Sequence, residues 1–258
     1  MIKSVELNQR HNRDPIPTIK SLEIALTSKC NYHCPYCGTY KVNDMSYKTL
    51  SISALRTILD QCSDLERIKL SGGEVTLRFD DCVEICRYCT SRGIELQLNT
   101  NATLLNSERI NLLQDAGLNI IHISLDFIDS VKYCNYYNVP KSMFYTIIRN
   151  ISLCCQSFDC VVETILFSET IDHLSEICRF VYELGVRNYE LQSGIKQDNW
   201  DQGISSKDDI MNALRKLFSQ SKEDMNIYLT VYGFFWIHLS MWSLFSKEKA
   251  LFSGHQYI

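Results

Sequence analysis

The eight residues Cys30-Asn31-Tyr32-His33-Cys34-Pro35-Tyr36-Cys37 gather three thiols at the spacing Cys-x3-Cys-x2-Cys, directly after the apolar run Leu22 to Thr27 that reads as a strand. Thiolates brought this close select an iron–sulfur cluster, zinc or copper(I). A cubane cluster takes four ligands and this stretch supplies three, which leaves one iron open to something other than protein. A structural zinc site would draw its fourth ligand from His33 or from a remote cysteine.

Composition sets the outer limits. At 258 residues the chain suits one large α/β domain with a full core and is short for two. Its net charge of −4, with both signs interspersed, gives no footprint for a polyanion, so nucleic acid is not expected as a partner. Twelve cysteines would mean disulfides in a secreted protein, but Met1 to Pro17 is polar, with no apolar signal core and no small-residue cleavage site. A cytoplasmic setting is expected, where clustered thiols do metal or redox work.

Moving outward, residues 1–20 read as a loosely held lead-in, and 41–49 as irregular. Ser51 or Ser53 caps a helix carrying Leu55, Ile58, Leu59 and Cys62 at helical spacing. The strand Arg67 to Leu70 runs into Ser71-Gly72-Gly73-Glu74, where two glycines permit a sharp turn and a close approach to a ligand, and a carboxylate can accept from an ammonium group. Cys82, Cys86 and Cys89 repeat the first cysteine spacing. They also fall on one face of an unbroken helix in line with Phe79, and are read as small hydrophobes packed on the sheet. The same reading covers Cys62, Cys154, Cys155, Cys160 and Cys178, with Cys134 the least certain.

From Gly93 the alternation is regular. Strands at 94–98, 120–125, 160–167 and 187–191 are separated by helices at about 106–116, 142–156 and 172–184, with Gly117 and Gly185 as stops. Such βαβ units imply a parallel sheet, and six of them fit a partial (β/α)6 TIM-like barrel, whose chemistry belongs at the C-terminal ends of its strands. His122 and His173 are read as core or surface histidines.

Three cysteines at this spacing with Tyr36 before the last, followed one βα unit later by Gly-Gly-Glu, resemble the radical S-adenosylmethionine superfamily, in the branch of molybdenum-cofactor cyclases and SPASM enzymes. The resemblance covers about residues 20 to 195. It implies a [4Fe-4S] cluster on Cys30, Cys34 and Cys37, with S-adenosyl-L-methionine bound through its amine and carboxylate to the open iron. Tyr36 would shield the cluster, Gly72, Gly73 and Glu74 would hold the methionyl amine, and Asn99, Asn101, Ser124 and Asp126 would reach ribose or carboxylate. Glu163 and Gln192 are further candidate contacts. The implied activity is reductive cleavage to a 5′-deoxyadenosyl radical that takes hydrogen from a substrate. A peptide is the first candidate, a small metabolite or nucleoside derivative the second, and a flavodoxin or ferredoxin the kind of electron donor implied. A degenerate, non-catalytic metal-binding scaffold is the alternative from another class.

Residues 196–258 read as a C-terminal extension closing the barrel: a polar loop to Ser206, an amphipathic helix Lys207 to Gln220, and a seventh strand or edge segment from Asn226 to Val231. Leu229 to Phe245 is rich in aromatics but broken by Gly233, His238 and Ser240, and is read as packing across the barrel rather than spanning a membrane. SPASM extensions of the resembled branch open with Cys-x2-Gly; here Leu251 stands at that cysteine position before Gly254, so either a short single-cluster member or a truncated relative is expected.

Overall fold

The computed structural model describes residues 18–37, 49–193 and 207–230. The expectations for most of the lead-in, the segment after Cys37, the polar loop before Lys207, the aromatic run past Thr230 and the Leu251–Gly254 stretch lie outside the described residues. Seven strands form one sheet in sequence order, every neighbouring pair parallel: β1 Ser21–Thr27, β2 Arg67–Gly72, β3 Glu95–Thr100, β4 Ile120–Ser124, β5 Asp159–Leu166, β6 Asn188–Ser193 and β7 Asn226–Thr230. Among the described residues β1 and β7 are its edges and the barrel is partial. The sheet therefore runs one strand beyond the six βα units read in the sequence, and β7, expected in the extension, pairs directly with β6.

Between the strands lie α1 Ile52–Asp60, α2 Phe79–Ser91, α3 Ser107–Asp115, α4 Ser130–Tyr137, α5 Lys141–Ser157, α6 Ser168–Ile171, α7 Leu174–Glu183 and α8 Lys207–Gln220. Local chemistry sets their starts. Ser51 accepts from the Ala54 amide at 3.2 Å and Asn106 from the Arg109 amide at 2.8 Å, each satisfying a donor the first helical turn leaves free. α4 went unread in the sequence because eight residues with three tyrosines carry no aliphatic stripe; it begins where Asp129 accepts from the Val131 and Lys132 amides and ends at Asn138, left-handed at φ 53°.

Strand alternation sorts the side chains. Ile68, Leu70, Leu96, Leu98, Ile121, Ile123, Val162, Tyr189 and Leu191 are buried with the helices in one core. Cys82, Cys86 and Cys89 belong to it, each fully buried, as do Cys154, Cys160 and Cys178, while Cys62, Cys134 and Cys155 pack against its margin. The opposite face is polar: Lys69, Gln97, Asn99, His122, Ser124, Glu163 and Glu190 all point away from the helices.

Candidate active site

The cysteine loop leaves β1 and folds over the ends of β2 and β3. Two backbone bonds fix it to the Gly-Gly-Glu turn: Gly73 N–H donates to Thr27 O at 2.7 Å and Glu74 N–H to Lys29 O at 2.8 Å. The glycines are required by this approach. A β-carbon on Gly72, whose φ is +139°, would lie 2.3 Å from Thr27 O, and one on Gly73 would lie 2.2 Å from Lys29 O. The pair thus serves chain against chain, docking the loop that carries the thiols.

Glu74 is almost wholly buried, and its carboxylate binds the turn to β3. Oε1 accepts from the Thr76 amide at 2.9 Å, from the Thr76 hydroxyl, and from Thr100 Oγ1 at 2.6 Å, and Oε2 accepts from the Asn101 amide at 2.7 Å. Asn101 continues the lacing, donating from Nδ2 to Asn31 Oδ1 at 2.8 Å, while Asn31 Nδ2 donates to Thr103 Oγ1 at 2.8 Å. The loop is therefore held from two strand ends by the chain's own bonds.

These contacts enclose a cavity of about 220 Å³. Cys30, Cys34, Cys37 and Tyr36 line it from the loop, Gly72, Gly73 and Glu74 from the second strand end, Asn99 and Asn101 from the third, and Ser124 from the fourth. Ser71 and Thr100, which flank the expected contacts within their motifs, also line it, as do Tyr32, Tyr133 and Tyr137, which were not singled out in the sequence. Tyr133 and Tyr137, one helical turn apart on α4, were the legible signal, since that spacing puts both rings on one face. Burial pushes the Cys30 thiol up to about 11, against the Tyr32 amide that donates to its sulfur at 3.3 Å; burial also raises Cys34.

Three candidates stand outside the lining. Asp126, buried past the end of β4, accepts from Tyr36 Oη at 2.7 Å, from Tyr137 Oη, and through Oδ1 from the Ile165 amide at 2.8 Å, so it orients cavity tyrosines rather than facing the cavity. Burial raises its carboxyl above the usual range in spite of those donors. Glu163 lies one layer down on the polar face, where Asn99 Nδ2 donates to it at 3.3 Å and His122 Nδ1 meets it at 2.5 Å. Gln192, half-buried near the end of β6, is not among the lining residues.

The donor set suits a cluster better than a single ion. Among the described residues, the cavity lining holds three thiols with no histidine and no fourth cysteine, so a structural zinc site would lack a fourth ligand there, whereas a cubane cluster with one open iron takes three thiolates.

A parallel partial barrel with a three-thiol loop over the C-terminal ends of its first strands defines a class of cofactor enzyme, and the sequence comparison gives its family. The chain belongs to the Radical SAM superfamily, whose profile matches residues 24–181, a family that uses a [4Fe-4S] cluster and S-adenosylmethionine. It is 36% identical over 118 residues to a probable GTP 3′,8-cyclase of Methanococcus maripaludis, covering 45% of this chain and 39% of that one. It is 35% identical over 114 residues to PqqA peptide cyclase of Bradyrhizobium diazoefficiens, covering 43% of this chain and 29% of that one. The chain thus spans less than half the length of either curated relative. SuiB of Streptococcus suis, solved with bound S-adenosylmethionine, shares the fold at a TM-score of 0.66 and 16% identity, over 84% of this chain and 51% of its own. No helix among the described residues is long and apolar enough to cross a membrane.

Proposed function

We propose that this chain is a radical S-adenosylmethionine enzyme that takes hydrogen from a substrate, with Cys30, Cys34 and Cys37 as its cluster ligands. When bound, the cluster and S-adenosylmethionine supply a one-electron cleavage that yields methionine and a 5′-deoxyadenosyl radical. The observation that carries the reading is the convergence of the three thiols, the Gly-Gly-Glu turn and the polar ends of β3 and β4 on one cavity.

In this reading the chain's own groups do four things. The Thr27 and Lys29 carbonyls fix the cysteine loop on the second strand end. Glu74 fixes the turn, and with the Gly72–Gly73 backbone it forms the wall for a methionyl ammonium group. Asn99 and Ser124 offer an amide and a hydroxyl for ribose or carboxylate. Tyr36 and Tyr137, tied to Asp126, close the cavity with ring surface and keep water from a reactive intermediate.

A peptide is the first substrate candidate, supported by the likeness to a peptide cyclase, and a nucleotide-like small molecule the second, supported by the likeness to GTP cyclases. An electron donor of flavodoxin or ferredoxin type and a cytoplasmic setting complete the proposal. Anaerobic reconstitution with iron and sulfide tests the site, followed by titration with S-adenosylmethionine under electron paramagnetic resonance of the reduced cluster. About four irons per chain and a signal altered by S-adenosylmethionine are expected. Absence of a cluster, or a signal indifferent to S-adenosylmethionine, points instead to a degenerate scaffold.

A further inference from the structure

The polar face of the sheet carries a second constellation that the cysteine chemistry does not use. His122 on β4, Glu163 on β5 and Glu190 on β6 are all buried, and their donor atoms lie within 4.8 Å of one another. Strand register brings them together: Glu163 is level with Glu190 across β5 and β6, and His122 is two residues before Ser124, which is level with Glu163. His122 Nδ1 stands 2.5 Å from Glu163 Oε1 and 3.4 Å from Glu190 Oε2.

One nitrogen faces two carboxylates. A ring nitrogen carries at most one hydrogen, and at 2.5 Å it serves Glu163, leaving Glu190 beyond good hydrogen-bond range. Glu190 is also oriented from behind, its Oε1 accepting from Thr230 Oγ1 at 2.5 Å, and Asn99 Nδ2 donates to Glu163 Oε1 at 3.3 Å, the oxygen that faces His122. Ligand atoms converging on one point, with outer hydrogen bonds setting their direction, are the pattern of a metal site. A small divalent ion at roughly 2.1 Å from each ligand holds its donors about 3 to 4 Å apart, within reach of the spacing seen here by sub-ångström shifts. The side chains keep 7 to 11% of their surface accessible, so an ion has a way in.

We propose that His122, Glu163 and Glu190 form a binding site for one small divalent cation, separate from the cysteine loop. One imidazole and two carboxylates suit manganese(II), iron(II) or zinc and disfavour copper(I). The ion neutralises two buried carboxylates that otherwise have, among the described basic groups, only the His122 ring close by and Lys69 acting on Glu190 from farther off.

Manganese(II) is the probe, because its hard character turns it from the cysteines toward oxygen and imidazole. Equilibrium dialysis with elemental analysis is run on the reconstituted full chain and on the full chain with Cys30, Cys34 and Cys37 all changed to alanine, so that the result stands whether or not the cluster forms. About one manganese per chain is expected in both, with affinity lowered at least tenfold in Glu190→Gln and in His122→Gln. Thr230→Val, which leaves all three ligands in place, is expected to weaken binding roughly tenfold or more through loss of the outer bond, and keeps the test available if the ligand variants fail to fold. No saturable manganese, or binding unchanged by the substitutions, overturns the proposal.

Discussion

Gly73 and Lys29 touch backbone to backbone: a β-carbon on Gly73 would stand 2.2 Å from the Lys29 carbonyl oxygen, one residue before the first cysteine of the loop. Gly73→Ala therefore has to push the cysteine loop off the strand end, at a cost of about 1–3 kcal/mol. Far-ultraviolet circular dichroism should remain that of the native fold, while iron and sulfide retained after reconstitution fall severalfold. Full retention would show that the loop's seat on this turn does not position the thiols.

Asp126 gives a graded pair of variants. Asp126→Ala removes the carboxylate that accepts from the Tyr36 and Tyr137 hydroxyls and the Ile165 amide, and should lower stability by about 2–3 kcal/mol in urea denaturation. Asp126→Asn keeps the shape and removes a charge that burial already disfavours, so its loss should be clearly smaller. Equal losses would mean that the ionised carboxylate itself, and not its hydrogen bonding, supports the tyrosines.

The two cysteine trios separate in a direct comparison. Cys86 is fully buried in the core, so Cys86→Ala should cost about 1 kcal/mol as a small cavity and leave cluster iron unchanged. Cys34→Ala should leave stability of the cluster-free chain within about 1 kcal/mol of the parent and abolish cluster retention. Iron analysis beside thermal melts reads both, and a cluster lost in Cys86→Ala would move the metal assignment to the helix.

Asn150, fully buried on α5, holds the loop after β3 through two bonds at 2.8 Å, to the Ala102 and Leu105 carbonyls. Ala102 there sits at φ 58°, a strained setting for a residue with a β-carbon. Asn150→Ala removes both donors and should cost about 2–4 kcal/mol, measured as a lower denaturation midpoint with an unchanged slope.

Much of this was legible in the sequence because its signals are local. The cysteine spacing, the glycine pair and the serine cap of α1, narrowed to Ser51 or Ser53, each act within a few residues, and the βα rhythm follows from them. The facing of single side chains was less legible. Glu163 was singled out without its register, and only the pairing of β4, β5 and β6 shows it beside His122, read from the sequence as a core or surface histidine, and beside Glu190, which was not singled out. Glu74 and Asn101 were expected to meet a ligand, whereas their polar atoms are largely engaged by the chain itself, a matter of contacts between residues more than twenty positions apart. α4 escaped because its buried residues are tyrosines, whose rings fill the core while the Tyr133 hydroxyl pairs with that of Tyr32 and the Tyr137 hydroxyl donates to Asp126.

The central claim is that Cys30, Cys34 and Cys37 hold a cluster that cleaves S-adenosylmethionine. Its most direct test is chromatographic assay of 5′-deoxyadenosine after anaerobic reconstitution and reduction, in the parent chain and in Cys34→Ala. The account predicts the nucleoside from the parent and none above background from the variant. Equal yields from both, or a fully loaded cluster that produces none even with candidate peptides present, would contradict it.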